Sequence, residues 1–263
     1  ISGNDPQYTG TGSKYQSGRA NPRIAVVKKR KKNLIIQTLK NLLWPEVCPF
    51  CGNVHRGGAC PACQNKLEEL FIREPRCMQC GKPVRNMEQE YCYDCAHTRH
   101  YYDQGRAVWL HRDPVKQSIY QFKYHNQREY GTYYAREMER RCGDFIRKIN
   151  PEVLLPVPLH RRKRRKRGYN QAQILAQQLG ERMGIPVETQ LLVRVKNTRP
   201  QKKQDHRMRK ENLRHAFALR YRIRNVRSVL IIDDIYTTGN TVDQIARILK
   251  EAGVEKVYFL TIS

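Results

Sequence analysis

Acidic side chains are scarce in this chain: 24 Asp and Glu stand against 50 Lys and Arg, a formal charge of +26 over 263 residues. With so little acid to balance it, the field draws in polyanions, so nucleic acid, phosphate ligands or an anionic membrane head the list of partners. Long apolar runs are missing as well. The longest, Leu34 to Trp44, is interrupted by Gln37, Thr38, Lys40 and Asn41 and is too short to span a bilayer, which excludes a transmembrane helix. The first twenty residues are polar and Gly/Ser-rich and lack the apolar core of a secretory signal. A cytoplasmic location is the expectation. The chain begins with Ile rather than Met, as expected of a fragment or a processed form. What remains, 39% hydrophobic and 28% charged, suffices for a globular fold with a substantial core.

Cysteine is the most informative residue present. Eight of the nine fall in Cys-x-x-Cys pairs: Cys48/Cys51, Cys60/Cys63, Cys77/Cys80 and Cys92/Cys95. Random placement would supply only about 0.3 such pairs. Two thiolates on one tight turn can share a metal, and two turns complete a tetrahedral zinc site. Pairing in order gives two structural zinc sites, Cys48/51/60/63 and Cys77/80/92/95; the spacing also permits interleaved pairing. Glycines follow the second cysteine of Cys-Pro-Phe-Cys-Gly and Cys-Met-Gln-Cys-Gly, where the turn needs unusual backbone angles. This stretch is too poor in aliphatics to fold unaided, and structural zinc contributes about 10–16 kcal/mol in small peptides. Cys142, the ninth, falls in a helical pattern as an ordinary buried residue.

Periodicity divides the chain. Residues 1–33 read as a disordered basic tail. The tail's "GTGSK" lacks the full spacing and the preceding strand of a phosphate-binding loop and is rejected as one. The basic run Lys28–Lys32 leads into an amphipathic helix with Ile35, Leu39, Leu42 and Leu43 on one face, and Pro45 stops it. Residues 34–98 thus hold a helix and a double zinc ribbon, and 99–263 an α/β domain. There, "AVWLH" reads as a strand and "DPVKQSIYQFKYH" as a helix capped by Asp113. "YGTYYAREMERRCGDFIRKI" continues helical. "VLLPVP" reads as a buried strand, "NQAQILAQQLGERMG" as a helix with Ile174, Leu175, Leu179 and Met183 inward, and "LLVRV" and "SVLIID" as strands. "TVDQIARILKEAG" reads as a helix ended by Gly253 and "KVYFLTI" as a last strand. Strands alternating with helices predict a mostly parallel sheet flanked by helices.

One stretch carries the chemistry. In "VLIIDDIYTTGNTV", four aliphatics deliver Asp233 and Asp234 to the carboxyl end of a strand, the rim at which open α/β sheets bind ligands. Carboxylates there can accept hydrogen bonds from paired sugar hydroxyls or hold a divalent cation. The following "TTGNT" enters a helix whose first N–H groups and dipole favour a phosphate. Gly239 allows close backbone approach, and the Thr hydroxyls add donors. Ribose on one side and phosphate on the other is the ligand these parts describe.

"VLIIDDIYTTGNT" closely resembles the phosphoribosyl-pyrophosphate signature of type I phosphoribosyltransferases. The resemblance implies that Asp233 and Asp234 bind the ribose and that Thr237, Thr238, Gly239, Asn240 and Thr241 bind the monophosphate, with Mg²⁺ accompanying the ligand. "LLPVPLHRRKRRKRGYNQAQILA" (154–176), "TRPQKKQDHRMRKENLRHAF" (198–217) and the cysteine-rich front end together look like the ComF family, whose members are linked to bacterial competence for DNA uptake. The likeness covers roughly residues 34–263. It places Pro158, Leu159, His160 and Arg161 in the pyrophosphate loop and Arg167, Gly168, Tyr169, Asn170 and Gln171 in a characteristic turn. By the same resemblance, Arg199, Gln201, Arg209 and Asn212 fall in a segment expected to act as a mobile flap. It also implies a helicase-like competence protein as partner.

The run Arg161, Arg162, Lys163, Arg164, Arg165, Lys166, Arg167 has two readings, stabilising the pyrophosphate or binding DNA phosphates. Tyr101, Tyr102, Tyr120 and Tyr124 could stack bases of a single strand, although tyrosines spaced like Tyr120 and Tyr124 are more often core. Three functions fit these residues: a phosphoribosyltransferase acting on a nitrogen acceptor, a protein that handles single-stranded DNA in uptake, and a non-catalytic sensor of phosphoribosyl pyrophosphate that gates DNA binding. A ComF-type protein that retains the ligand site and acts in DNA uptake is the main reading. No side chain stands out as an acceptor-specific base.

Overall fold

The continuous apolar runs of the C-terminal half become parallel strands buried on both faces. The computed structural model describes residues 45–195 and 216–263. The tail with its "GTGSK", the basic run 28–32, the expected helical face Ile35–Leu43 and the expected flap residues Arg199, Gln201, Arg209 and Asn212 lie outside them. In chain order the elements are α1 (Pro61–Leu70), α2 (Tyr93–His97), β1 (Gln104–Ala107), α3 (Val115–Tyr124), α4 (Tyr130–Ile149), β2 (Val153–Pro156) and α5 (Arg161–Arg167). They continue with α6 (Gln171–Met183), β3 (Leu192–Arg194), β4 (Phe217–Leu219), β5 (Ser228–Asp233), α7 (Asn240–Glu251) and β6 (Lys256–Thr261). Glu46–Ser263 form one compact unit.

Among the described residues the main sheet has the order β1-β6-β5-β2, every neighbouring pair parallel. Alternation along its strands separates two cores. Leu154, Leu230, Ile232, Leu260 and Ile262 pack with Tyr134, Met138 and Ile146 of α4, Leu175 and Leu179 of α6, and Cys48, Phe50 and Leu67 of the first ribbon. Leu155, Val229, Ile231, Val257 and Phe259 pack with Val242, Ile245 and Leu249 of α7, with Tyr102, and with Cys77, Cys80 and Cys92 of the second ribbon. Each ribbon therefore joins a different face of the sheet. Phe50 is the wedge of the first, its ring meeting Trp109, Tyr133 and Tyr134 edge-on at 6.2, 5.6 and 6.2 Å.

Three expectations shift. The first strand lies at Gln104–Ala107 rather than in "AVWLH", because its pairing with β6 uses a glycine and polar residues that an apolar count passes over. Val108 and Trp109 are buried, and only their N–H groups extend the ladder, to Thr261 and Ile262. "LLVRV" does form a strand, β3, but it pairs antiparallel with β4 in a separate two-stranded sheet. Asp113 does not cap α3: the cap is Pro114, no side chain bonds it, and the Lys116 N–H goes to the Arg112 carbonyl.

Gly105 of β1 lies opposite Phe259 of β6. A Cβ there would lie 1.9 Å from Phe259 Cε1, and Phe259 in turn stacks on Tyr236 at 4.6 Å. Gly105→Ala is expected to destabilise the fold by about 1–3 kcal/mol through overpacking, read as a lowered denaturation midpoint.

Candidate functional site

Asp233 closes β5 and Asp234 begins the loop after it, at the carboxyl end of the sheet. β2 pairs with β5 through Pro156↔Ile232, and the Val157 N–H donates to the Ile232 carbonyl at 2.9 Å. The expected pyrophosphate segment Pro158–Arg161 therefore leaves the sheet beside the acidic pair. Gly239, at a φ of 74°, caps α7 and opens the helix that carries Asn240 and Thr241. The Asp243 N–H bonds to its carbonyl at 2.8 Å. The rim thus brings together the acidic pair, the Thr237–Thr241 loop and the segment following β2.

Cations gather around the carboxylates. Lys123 Nζ, from α3, lies 2.8 Å from Asp234 Oδ1, both side chains less than one-fifth exposed. Asp233 Oδ1 accepts the Asp234 N–H at 2.8 Å. Burial, then the like charge of Asp234, pushes the Asp233 carboxyl up to about 7, against the opposing pull of Lys123 and Arg194. Lys163 is held below the usual lysine range by burial and by Arg194, Arg167 and Lys123, so these four cations share one neighbourhood. The seven-residue basic run forms α5, on which Lys163 and Arg167 are partly buried and Arg161, Arg162, Arg164, Arg165 and Lys166 are exposed. The i, i+4 spacing directs two cations inward and leaves the others to solvent.

The turn Arg167–Gln171 is a clasp. Asn170 Nδ2 donates to the Val157 carbonyl at 2.9 Å, which holds the segment after β2. The Tyr169 hydroxyl donates to the Phe122 carbonyl, and Gln171 Nε2 reaches the Phe122 and Lys123 carbonyls, both at 3.3 Å. Arg167 donates to Gln171 Oε1 at 3.1 Å. These bonds fix the end of α3 that delivers Lys123. Gly168 supplies the left-handed close of α5.

The Thr237–Thr241 loop has its own support. The Tyr236 N–H donates to the Ser263 carbonyl at 2.6 Å, and the Tyr236 and Tyr102 hydroxyls are 2.7 Å apart. His100 stacks on Tyr102 with ring centres 4.7 Å apart, and the Tyr101 N–H bonds Asp243 Oδ1 at 2.6 Å in the first turn of α7. Tyr102 ends the segment leaving the second ribbon. Sequence reasoning passed over Lys123, Arg194, Tyr236 and Asp243: a lysine or tyrosine in a helical or loop pattern carries no mark of what it will face.

The cysteines pair in order. Within each set, Cys48/51/60/63 and Cys77/80/92/95, the ligand atoms lie within 4.8 Å of one another. The sulfur pairs Cys51–Cys60 and Cys80–Cys92, at 3.7 and 3.6 Å, match the edge of about 3.8 Å that a tetrahedron of 2.3 Å Zn–S bonds requires. Gly52 and Gly81 take φ of 76° and 75°, and their N–H groups return to the Cys48 and Cys77 carbonyls at 3.0 Å. Cys60 and Cys92 cap α1 and α2. The eight thiols fit two structural zinc ions.

Similarity to known proteins follows this division. Residues 39–96 match the double zinc ribbon domain family and residues 134–262 the phosphoribosyl transferase domain family. The chain is 32% identical over 218 residues to Competence protein F of Haemophilus influenzae, which covers 80% of this chain and 93% of that one. It is 28% identical over 223 residues to DNA utilization protein YhgH of Salmonella typhimurium, covering 84% and 95%. Over 204 residues it is 28% identical to Competence protein ComFC of Bacillus subtilis, covering 74% and 78%.

Proposed function

Because the chain belongs to the family of competence protein F, with a double zinc ribbon and a phosphoribosyltransferase domain, we propose that it binds phosphoribosyl pyrophosphate with Mg²⁺ and handles single-stranded DNA during uptake in the cytoplasm. One observation carries the reading: an acidic pair, a helix-capping Thr/Gly loop and a cluster of cations meet at one edge of the parallel sheet.

Each part of the ligand has a counterpart. Asp233 and Asp234 accept the ribose hydroxyls. Thr237–Thr241 and the first turn of α7 receive the 5-phosphate, whose charge the helix terminus favours. Lys163, Arg167 and Arg194, with Pro158–Arg161, face the pyrophosphate; on leaving it would build up negative charge that preorganised cations stabilise. Asp233 and Asp234 would help hold Mg²⁺ arriving with the ligand, and the ion would add to that neutralisation. The exposed side of α5 offers Arg161, Arg162, Arg164, Arg165 and Lys166 to DNA phosphates. A helicase-like partner is proposed on family resemblance alone.

Calorimetric titration of the zinc-loaded protein tests the pocket. Phosphoribosyl pyrophosphate with Mg²⁺ is expected to bind more tightly than ribose 5-phosphate or pyrophosphate alone, since each of these fills one end only. Absence of heat with all three would sink the reading. Pyrophosphate release on adding a nitrogen acceptor would separate a transferase from a sensor.

A further inference from the structure

Beside the acidic pair lies a cavity of about 370 Å³ that the ribosyl ligand does not account for, within the size range of about 300–1,000 Å³ that ligand pockets occupy. Ile235, the residue after Asp234, forms part of its wall, and Lys123, the ion partner of Asp234, forms another part. His111, Lys116, Gln117, Ile119, Tyr120 and Tyr124 complete the lining, and no carboxylate belongs to it. Burial and the charges of Lys123 and Lys116 hold His111 below its usual range, which favours a neutral ring; its Nδ1 lies 2.9 Å from Ser263 Oγ, so Nε2 is the nitrogen that remains for a ligand.

The two tyrosines are the unusual part. Val115, Ile119 and Phe122 of α3 are buried in the core, while Tyr120 and Tyr124 stand 51% and 53% exposed. The expectation that tyrosines at this spacing are core fails here, because the amphipathic helix turns this pair outward. Their ring centres are 4.9 Å apart, and His125 lies 5.6 Å from Tyr120. Arg167 stands over the Tyr124 ring at 4.6 Å and donates to its hydroxyl at 2.9 Å. Arg167 ends α5, so the row of exposed cations on that helix runs to the aromatic pair. A backbone-binding row that ends on exposed rings is how proteins hold single strands.

We propose that this cavity seats a base of single-stranded DNA, stacked on Tyr120 and Tyr124, while the adjoining phosphates lie along Arg161, Arg164 and Arg165. This deepens the DNA half of the proposed function and rests on it. The base then lies next to the ribosyl pocket, sharing Lys123 and Ile235 as a wall, so strand and phosphoribosyl ligand can sense one another through direct contact. Gln117 and His111 supply hydrogen-bonding groups for the base edge.

The test uses the zinc-loaded full chain, a single-stranded oligonucleotide carrying one 2-aminopurine, its abasic counterpart of equal charge, and free deoxyadenosine. Stacking is expected to quench 2-aminopurine fluorescence and to make the intact strand bind about tenfold or more tightly than the abasic one. Tyr120→Leu with Tyr124→Leu should remove both effects and leave the salt dependence of binding unchanged, whereas the Phe pair should retain them. Arg164→Gln with Arg165→Gln should do the reverse, lowering the slope of log affinity against log salt by about 0.7 per lost contact and sparing the quench at saturation. Thermal melts check that the surface variants stay folded. Equal binding of intact and abasic strands, or indifference to the Leu pair, would overturn the base seat while the DNA reading stood. Binding of free deoxyadenosine without the strand would reassign the cavity to a small acceptor and overturn it too. Failure of wild type to bind any oligonucleotide would remove both, and the calorimetry of the phosphoribosyl ligand would be untouched.

Discussion

Asp233→Asn is expected to make the protein more stable at neutral pH and to weaken binding of phosphoribosyl pyrophosphate by about 100-fold or more, as for loss of a buried charged hydrogen-bond acceptor. Partial burial beside the like charge of Asp234 pushes the carboxyl up from the ordinary 3.8 to about 7. A proton therefore binds the folded state more tightly than the unfolded chain. That contribution is fully present below about 3.8 and is lost as pH rises through about 7. Above it, the native protein holds a buried anion against its own stability. Asn removes the charge and keeps an oxygen for the Asp234 N–H, so a gain on the order of 1–3 kcal/mol is expected at neutral pH, vanishing in acid. Asp234→Asn should act in the opposite direction on stability, by about 1 kcal/mol, since it leaves Lys123 without its ion partner. Both variants should lose ligand. In wild type, affinity should fall by about tenfold per pH unit below the Asp233 transition, because a protonated carboxyl is a poor acceptor. Melting curves and calorimetry across pH read these effects; an Asp233→Asn protein of lower stability, or one of unchanged affinity, would contradict the assignment.

Disrupting the two zinc sites should produce different failures. Structural zinc contributes about 10–16 kcal/mol in small peptides, comparable to the whole stability of a domain. Cys48→Ser with Cys51→Ser withdraws Phe50 from the cluster of Trp109, Tyr133 and Tyr134, and a broad loss of stability is expected. Cys77→Ser with Cys80→Ser acts on the other face. There the ribbon leads into His100–Tyr102, whose contacts with Tyr236 and Asp243 hold the loop before α7 and the first turn of that helix. Ligand affinity should fall by about tenfold or more in this variant even at temperatures where the sheet remains folded. Zinc counted per chain should drop from two to one in each case. Equal loss of affinity and stability in both variants would show that the ribbons act only as a common core.

Much of this was legible in the residues. Four Cys-x-x-Cys pairs announce metal at any level of folding, because the spacing itself makes the ligand geometry. "VLIIDD" followed by "TTGNT" is read as directly: a both-faces-buried strand must end at a rim, and the polar residues after it have nowhere else to be. Helices α4 and α7 follow from their apolar stripes. β1 was misplaced because the register with β6, not side-chain hydrophobicity, selects Gln104–Arg106. β4 was missed because three residues paired antiparallel leave almost no local pattern.

Tertiary structure alone decided how these pieces face one another. Which lysine meets Asp234, which two residues of a uniformly basic run turn inward, and that Tyr120 and Tyr124 stand in solvent near the acidic pair all depend on elements distant in the chain. So does the separation of the ribbons onto opposite faces of one sheet. Local spacing determines metal ligation and strand ends, because both arise within a few residues. Electrostatic pairing and exposure arise only when remote surfaces meet, and no periodicity along the chain records them.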